Sequence, residues 1–116
     1  MSAKIVVIYP RPSDPVEFER AYTQDHAPMV TPDTLPGITR FVQVKVLGTP
    51  DGTEPGFARI AELHFDSISD LQTAAGSEGA ARAVAHALDI STGGKPIFLV
   101  CEESTTEFGE QQSATA

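Results

Sequence analysis

The residues of this chain best suited to moving a proton stand close together: Tyr22, Asp25 and His26 offer a phenol, a carboxylate and an imidazole within five positions. An imidazole with an unperturbed pKa of about 6.5 holds both protonation states near neutrality, as a general base requires. At about 100° per residue, Phe18, Tyr22 and Met29 form one helical stripe, and Asp25 and His26 fall inside it rather than on the face of Arg20, Thr23 and Gln24. Two groups that water would solvate at no cost are therefore directed inward. Either they serve the helix end, where Pro28 disfavours helical geometry at Ala27 and frees backbone groups for them to bond, or they line a pocket together with Tyr9 of the opening strand.

The other candidates lie on strands. Over residues 57–66, Phe57, Ala61, Leu63 and Phe65 share one face with Arg59, and Glu62 and His64 lie side by side on the other. Over residues 38–47, Ile38, Val42, Val44 and Val46 share a side with Arg40. Asp25, Glu62 or Arg40 would orient His26 or hold a developing oxyanion, and His64 adds a second imidazole. His86 is expected in solvent. The histidines lack metal-binding spacing, so no metal site is expected unless folding joins His26 and His64 with Glu62 or Asp25.

The elements that position these groups follow from breakers and caps. Residues 4–9 read as a central strand, apolar on both parities. Asp14-Pro15-Val16-Glu17 opens the first helix with an N-cap, a first-turn proline and a capping glutamate, and the helix is expected to end near Ala27. Leu35-Pro36-Gly37 turns the chain into a mixed strand suited to a sheet edge, and Thr49-Pro50-Asp51-Gly52 forms a loop before the next strand. Ser67 opens a short helix, and residues 77–89 form a second with Ala81, Val84, Ala85 and Leu88 inward. A last strand, residues 95–102, is again apolar on both parities. Ile5, Val7, Ile97 and Leu99 fall on one parity, with Val6, Ile8, Phe98 and Val100 on the other. Residues 104–116 form a polar tail expected to be disordered, leaving a single domain over 1–103.

The order strand, helix, strand, strand, helix pair, strand is the split βαβ pattern of an α+β, ferredoxin-like antiparallel sheet with helices on one face. The other face needs a cover that the chain does not supply, and a second copy is the simplest one, closing an α+β barrel as a homodimer.

Composition narrows the function. The 116 residues carry a net charge of −8, and residues 1–101 still hold twelve acids against eight bases, which argues against nucleic acid and anionic membranes as partners. No apolar run is long enough for a membrane span or a signal peptide, so a cytoplasmic protein is expected. The lone Cys101 sits in an apolar run and reads as an inert buried thiol. No dinucleotide fingerprint, P-loop or nucleophile elbow is present, so no cofactor is expected.

Several segments together resemble the EthD-like proteins of the dimeric α+β barrel superfamily: Val6-Val7-Ile8-Tyr9, the Asp14-Pro15 helix with Phe18, Tyr22, His26 and Pro28, Leu35-Pro36-Gly37, Glu62-Leu63-His64-Phe65-Asp66-Ser67, and Ser77-Glu78-Gly79 with Thr92-Gly93-Gly94. They span most of residues 4–103. The resemblance implies a homodimer with a small apolar pocket in each subunit and a polar His26 on the first helix. It also implies relatives linked to xenobiotic ether breakdown, lactone isomerisation and cofactor-independent oxidation of aromatic polyketides. The expected activity is proton transfer on a small, largely apolar ring compound, an isomerisation or oxidation, with His26 as catalytic base and Tyr9, Tyr22, Asp25, Arg40, Glu62 and His64 about the ligand. The alternatives are a non-catalytic binding or accessory protein, in which the same residues hold a polar ligand head, and a structural dimer with a filled pocket.

Overall fold

The computed structural model describes residues 1–109. Strand β1 (Ser2–Pro10) runs into Pro10 and Pro12, and the Asp14 carboxylate then caps helix α1 (Pro15–Arg20) by accepting the Glu17 N–H at 3.1 Å. The helix does not continue as an α-helix to Ala27. Ala21–His26 is a π turn, closed by the Ala27 N–H on the Tyr22 carbonyl, and Ala27–Met29 is a 3₁₀ turn. Two local causes are visible: the Thr23 hydroxyl donates to the Glu19 carbonyl at 2.8 Å, and Pro28 brings no N–H to the ladder.

The wider turn advances the chain by a smaller angle per residue. His26 is thereby carried to the centre of the buried stripe beside Phe18, Ala21 and Tyr22, while Asp25 swings out to pair with Arg20 at 3.1 Å. The expected inward Asp25 is corrected by this one change of helical pitch.

Strands β2 (Ile38–Lys45), β3 (Phe57–Phe65) and β4 (Ile97–Glu103) join β1 in the order β2-β3-β1-β4, every neighbouring pair antiparallel. With α1, α2 (Ile68–Ala75) and α3 (Glu78–Ile90) on one face, this is the ferredoxin-like α+β arrangement. Tyr9, Tyr22, Phe65 and Leu71 are the largest fully buried side chains between sheet and helices. A register irregularity between Ile38 and Arg40 turns Ile38 to the helix side opposite Phe65, away from Arg40, Val42 and Val44. β4 is an edge strand. Its register places Phe98 and Val100 beside Val7 and Ile5 on the helix side, and Ile97 and Leu99 beside Ile8 and Val6 on the open face. Ile5 and Val7 therefore do not share a face with Ile97 and Leu99. Cys101 is half-buried on the open face, beside Lys4.

α3 is rotated from the expected phase. Ala80, Ala87 and Ile90 are buried and Ala83 is half-buried, whereas Ala81 and Ala85 are exposed and Val84 and Leu88 are more than two-fifths exposed. Its start is fixed by close approach. A Cβ on Gly79 would stand 2.1 Å from the Thr34 carbonyl oxygen, and Ser77 both caps the helix and donates to that carbonyl at 3.1 Å. The Thr92-Gly93-Gly94 turn is held similarly, since a Cβ on Gly93 would meet the Arg11 carbonyl oxygen at 1.7 Å. Residues 104–109 form no helix or strand, and Phe108 is exposed. The remainder of the expected disordered tail, residues 110–116, lies outside the described residues. No helix among the described residues is long and apolar enough to cross a membrane.

Candidate active site

The inner face of α3 presents Ala80, Ala83 and Ala87, side chains too short to reach the sheet. The space left between them and Ile5, Val7 and Tyr9 of β1 and Phe98 and Val100 of β4 is a cleft of about 270 Å³. Among the described residues, its lining has two polar side chains, Tyr9 and His26; the rest is aliphatic, alanine or phenylalanine. A lining without a charged group suits a neutral ligand, and the volume suits a small one, near the lower end of the usual range of ~300–1,000 Å³.

The two polar groups are joined to a third. The Tyr9 hydroxyl lies 3.1 Å from Nε2 of His26, and Nδ1 of His26 lies 2.9 Å from Nδ1 of His86, the imidazoles 12° from parallel with centroids 5.1 Å apart. His86, expected in solvent, is thus half-buried against His26. Burial, and secondarily the neighbouring His86, lowers the His26 pKa to about 4, so at neutral pH it is an uncharged imidazole rather than one poised between states. Burial likewise pushes the Tyr9 phenol well above its ordinary value.

Tyr22 stands behind this pair rather than in the cleft, edge-on to Tyr9 at 5.6 Å and beneath the Arg59 guanidinium at 4.7 Å. Its hydroxyl is buried without a hydrogen-bond partner among the described residues, and burial raises its pKa to about 12. Arg59, itself buried, is paired with Glu19.

Asp25, Arg40, Glu62 and His64 are not brought to His26. Asp25 is in solvent, and the other three lie on the open face of the sheet, the side away from the helices. There they form a separate cluster: Lys4 Nζ lies 3.2 Å from Glu62 and 3.1 Å from Glu103, His64 Nε2 is 2.9 Å from Glu62, and Arg40 Nη2 is 3.4 Å from His64 Nδ1. Burial alone would raise the Glu62 pKa, but hydrogen bonds from His64 and Lys4 outweigh it and hold the carboxyl below its usual range. Among the described residues, Glu62, His64 and Glu103 are also a set placed to ligate a cation, with ligand atoms within 4.8 Å of one another, but the Lys4 ammonium already pairs with both carboxylates.

The chain matches the EthD domain over residues 11–87. It is 28% identical over 101 residues to an uncharacterized 11.0 kDa protein in the thcB-thcC intergenic region of Rhodococcus erythropolis, covering 87% of this chain and 95% of the relative. The crystal structure of an ethyl tert-butyl ether D (EthD) family protein from Bacillus halodurans C-125 superposes with a TM-score of 0.81 at 25% identity, over 90% of this chain and 100% of that one. More distant structures share the fold. A dimeric ferredoxin-like protein of unknown function from Bacteroides fragilis has a TM-score of 0.64 at 14% identity, over 88% and 96% of the two chains. SnoaB, a cofactor-independent oxygenase from Streptomyces nogalater, has a TM-score of 0.61 at 15% identity, over 94% and 98%.

Proposed function

This chain belongs to the EthD domain family, and from that premise we propose that it is an enzyme of cofactor-independent proton transfer on a small, neutral, largely apolar ring compound. The observation that carries this reading is the Tyr9–His26 pair as the polar groups in an otherwise apolar cleft. The chemistry is an isomerisation, in which an acidic C–H proton is removed and returned at another carbon, or an oxidation in which dioxygen takes electrons from the resulting carbanion. Such a reaction belongs to a catabolic or secondary-metabolic pathway in the cytoplasm, xenobiotic degradation included, with neither nucleic acid nor membrane as partner. A cleft of about 270 Å³ speaks against the filled, purely structural pocket. Non-catalytic binding is the second reading, favoured by the fact that both His26 nitrogens already have partners.

The open sheet face belongs, in the same reading, to a homodimer. Val44, Ile97 and Leu99 are each more than one-third exposed there, next to Val6, Ile8, Val42 and Ile60, and each such side chain is worth roughly 1.5–3 kcal/mol when fully buried. Face-to-face packing would close an α+β barrel and enclose the Lys4, Glu62, His64 and Glu103 cluster. Sedimentation equilibrium should give a dimer that Leu99→Glu dissociates; a micromolar monomer would refute it.

Ligand occupancy is tested by native mass spectrometry of the purified protein titrated with neutral cyclic ketones, lactones and phenols. One ligand per chain, lost when Ala87→Leu fills the cleft, is the expected result. Binding that Ala87→Leu leaves intact would place the ligand elsewhere.

A further inference from the structure

We propose that His86 is a positioning residue and the proton store of this site: its Nδ1, together with the Tyr9 hydroxyl, fixes the tautomer of His26 and receives, through His26, the proton that leaves the ligand. This rests on the proton-transfer reading above.

Tyr9, His26 and His86 form one chain of contacts, 3.1 Å from Oη to Nε2 and 2.9 Å from Nδ1 to Nδ1. Each link needs one hydrogen, and neutral His26 carries a single ring hydrogen on one nitrogen or the other, so the two links are coupled and the chain has two polarities. In the first, Tyr9 donates to Nε2 of His26 and the Nδ1–H of His26 donates to His86. In the second, every bond is reversed and the Tyr9 O–H is left pointing into the cleft. The cleft lining around Tyr9 is apolar, so the second arrangement strands a buried donor and the first is the resting state. His26 is therefore the Nδ1–H tautomer, and His86 accepts at Nδ1 while carrying its own proton on Nε2.

The transfer that follows is balanced. A ligand proton passes to Tyr9 Oη as the Tyr9 proton passes to Nε2 of His26 and the Nδ1 proton of His26 passes to Nδ1 of His86. The electron pair of the broken bond stays on the ligand, and the net change is one proton moved from ligand to His86, ending in the reversed polarity in which the Tyr9 O–H faces the ligand anion. His26 is only 6% exposed, so a cation is costly there, and the charge comes to rest on the half-buried His86. Among the described residues, the titratable groups within hydrogen-bond reach of His26 are Tyr9 from β1 and His86 from α3, so its tautomer has no other determinant.

The test is ¹⁵N NMR of the histidine rings in the parent, His86→Phe and His86→Asn, alongside hydrogen–deuterium exchange of a bound cyclic ketone in D₂O. Phe keeps an aromatic ring at this position without an acceptor, and the Asn amide oxygen restores one near the Nδ1 position. The parent should show His26 protonated at Nδ1. His86→Phe leaves one buried donor unmet in either tautomer, so it should mix the tautomers and slow ligand exchange at least tenfold, and His86→Asn should restore the single tautomer. His26 signals that His86→Phe leaves unchanged would overturn the proposal. A shifted tautomer in a protein whose parent exchanges no ligand proton would uphold the positioning by His86 and overturn the proton store together with the enzymatic reading.

Discussion

The hydroxyl of Tyr9 meets Nε2 of His26 at 3.1 Å across the gap between the first strand and the first helix. The contact exists because a π turn over Ala21–His26 brings the imidazole to the centre of the helix's buried face. One consequence is thermodynamic. His26 is neutral in the fold down to a pKa of about 4, whereas in the unfolded chain it protonates near 6.5, so between these values the unfolded state binds more protons and stability falls as pH falls. The difference corresponds to about 3 kcal/mol at full expression. Melting temperature followed from pH 7 to 4 should drop more steeply in the parent than in His26→Phe; parallel curves would mean that His26 titrates normally.

The cleft is expected to be a consequence of small side chains on α3. Ala83→Leu places a large aliphatic group in it, and cavity filling of this kind commonly adds about 0.5–2 kcal/mol. Chemical denaturation should show equal or higher stability together with loss of ligand binding. A variant that binds ligand as the parent does would show that the space above Tyr9 is not the ligand site.

Tyr22 separates packing from function. Its hydroxyl lies buried without a hydrogen-bond partner among the described residues, and its ring supports Tyr9, His26 and the Arg59 guanidinium. Tyr22→Phe keeps the ring and its cation–π contact while removing an unmet polar group, so unfolding free energy should stay level or rise by up to ~1 kcal/mol. Ligand affinity should not change. A marked loss of affinity would return Tyr22 to the site.

Gly79 lets α3 approach the Thr34 carbonyl closely enough to bring His86 onto His26. Gly79→Ala forces a Cβ to 2.1 Å from that oxygen, so the helix must shift, at a cost of about 1–3 kcal/mol read as a lowered melting temperature. An unchanged melting temperature would mean that the approach is not tight in solution.

Much of the architecture was legible because prolines, glycines and caps punctuate it: Asp14-Pro15, Leu35-Pro36-Gly37 and Ser77 each mark a boundary that the fold keeps. The inward direction of His26 was legible as well, from its place in the stripe of Phe18 and Tyr22. Asp25 was misplaced because a 3.6-residue period does not describe a π turn, and the signals for one, Thr23 and Pro28, speak only about backbone bonding. His86 was missed for a different reason. In an alanine-rich helix the few large residues, Val84 and Leu88, dominate the apparent phase, while the true inner stripe is marked by the spacing of Gly79, Ala80, Ala83, Ala87 and Ile90. Glu62 and His64 are neighbours of one another, as their strand parity requires, but no sequence period says which sheet face the first helix covers.

The most direct test of the proton-transfer account is ¹H NMR of a neutral cyclic ketone or lactone bound to the protein in D₂O, following the proton on the carbon next to the carbonyl. Exchange with solvent well above the buffer rate is expected, reduced by about 10²–10⁴ in His26→Phe and in Tyr9→Phe. Ligands that bind in the cleft but exchange no faster than in buffer, or an exchange rate unaltered in His26→Phe, would contradict it.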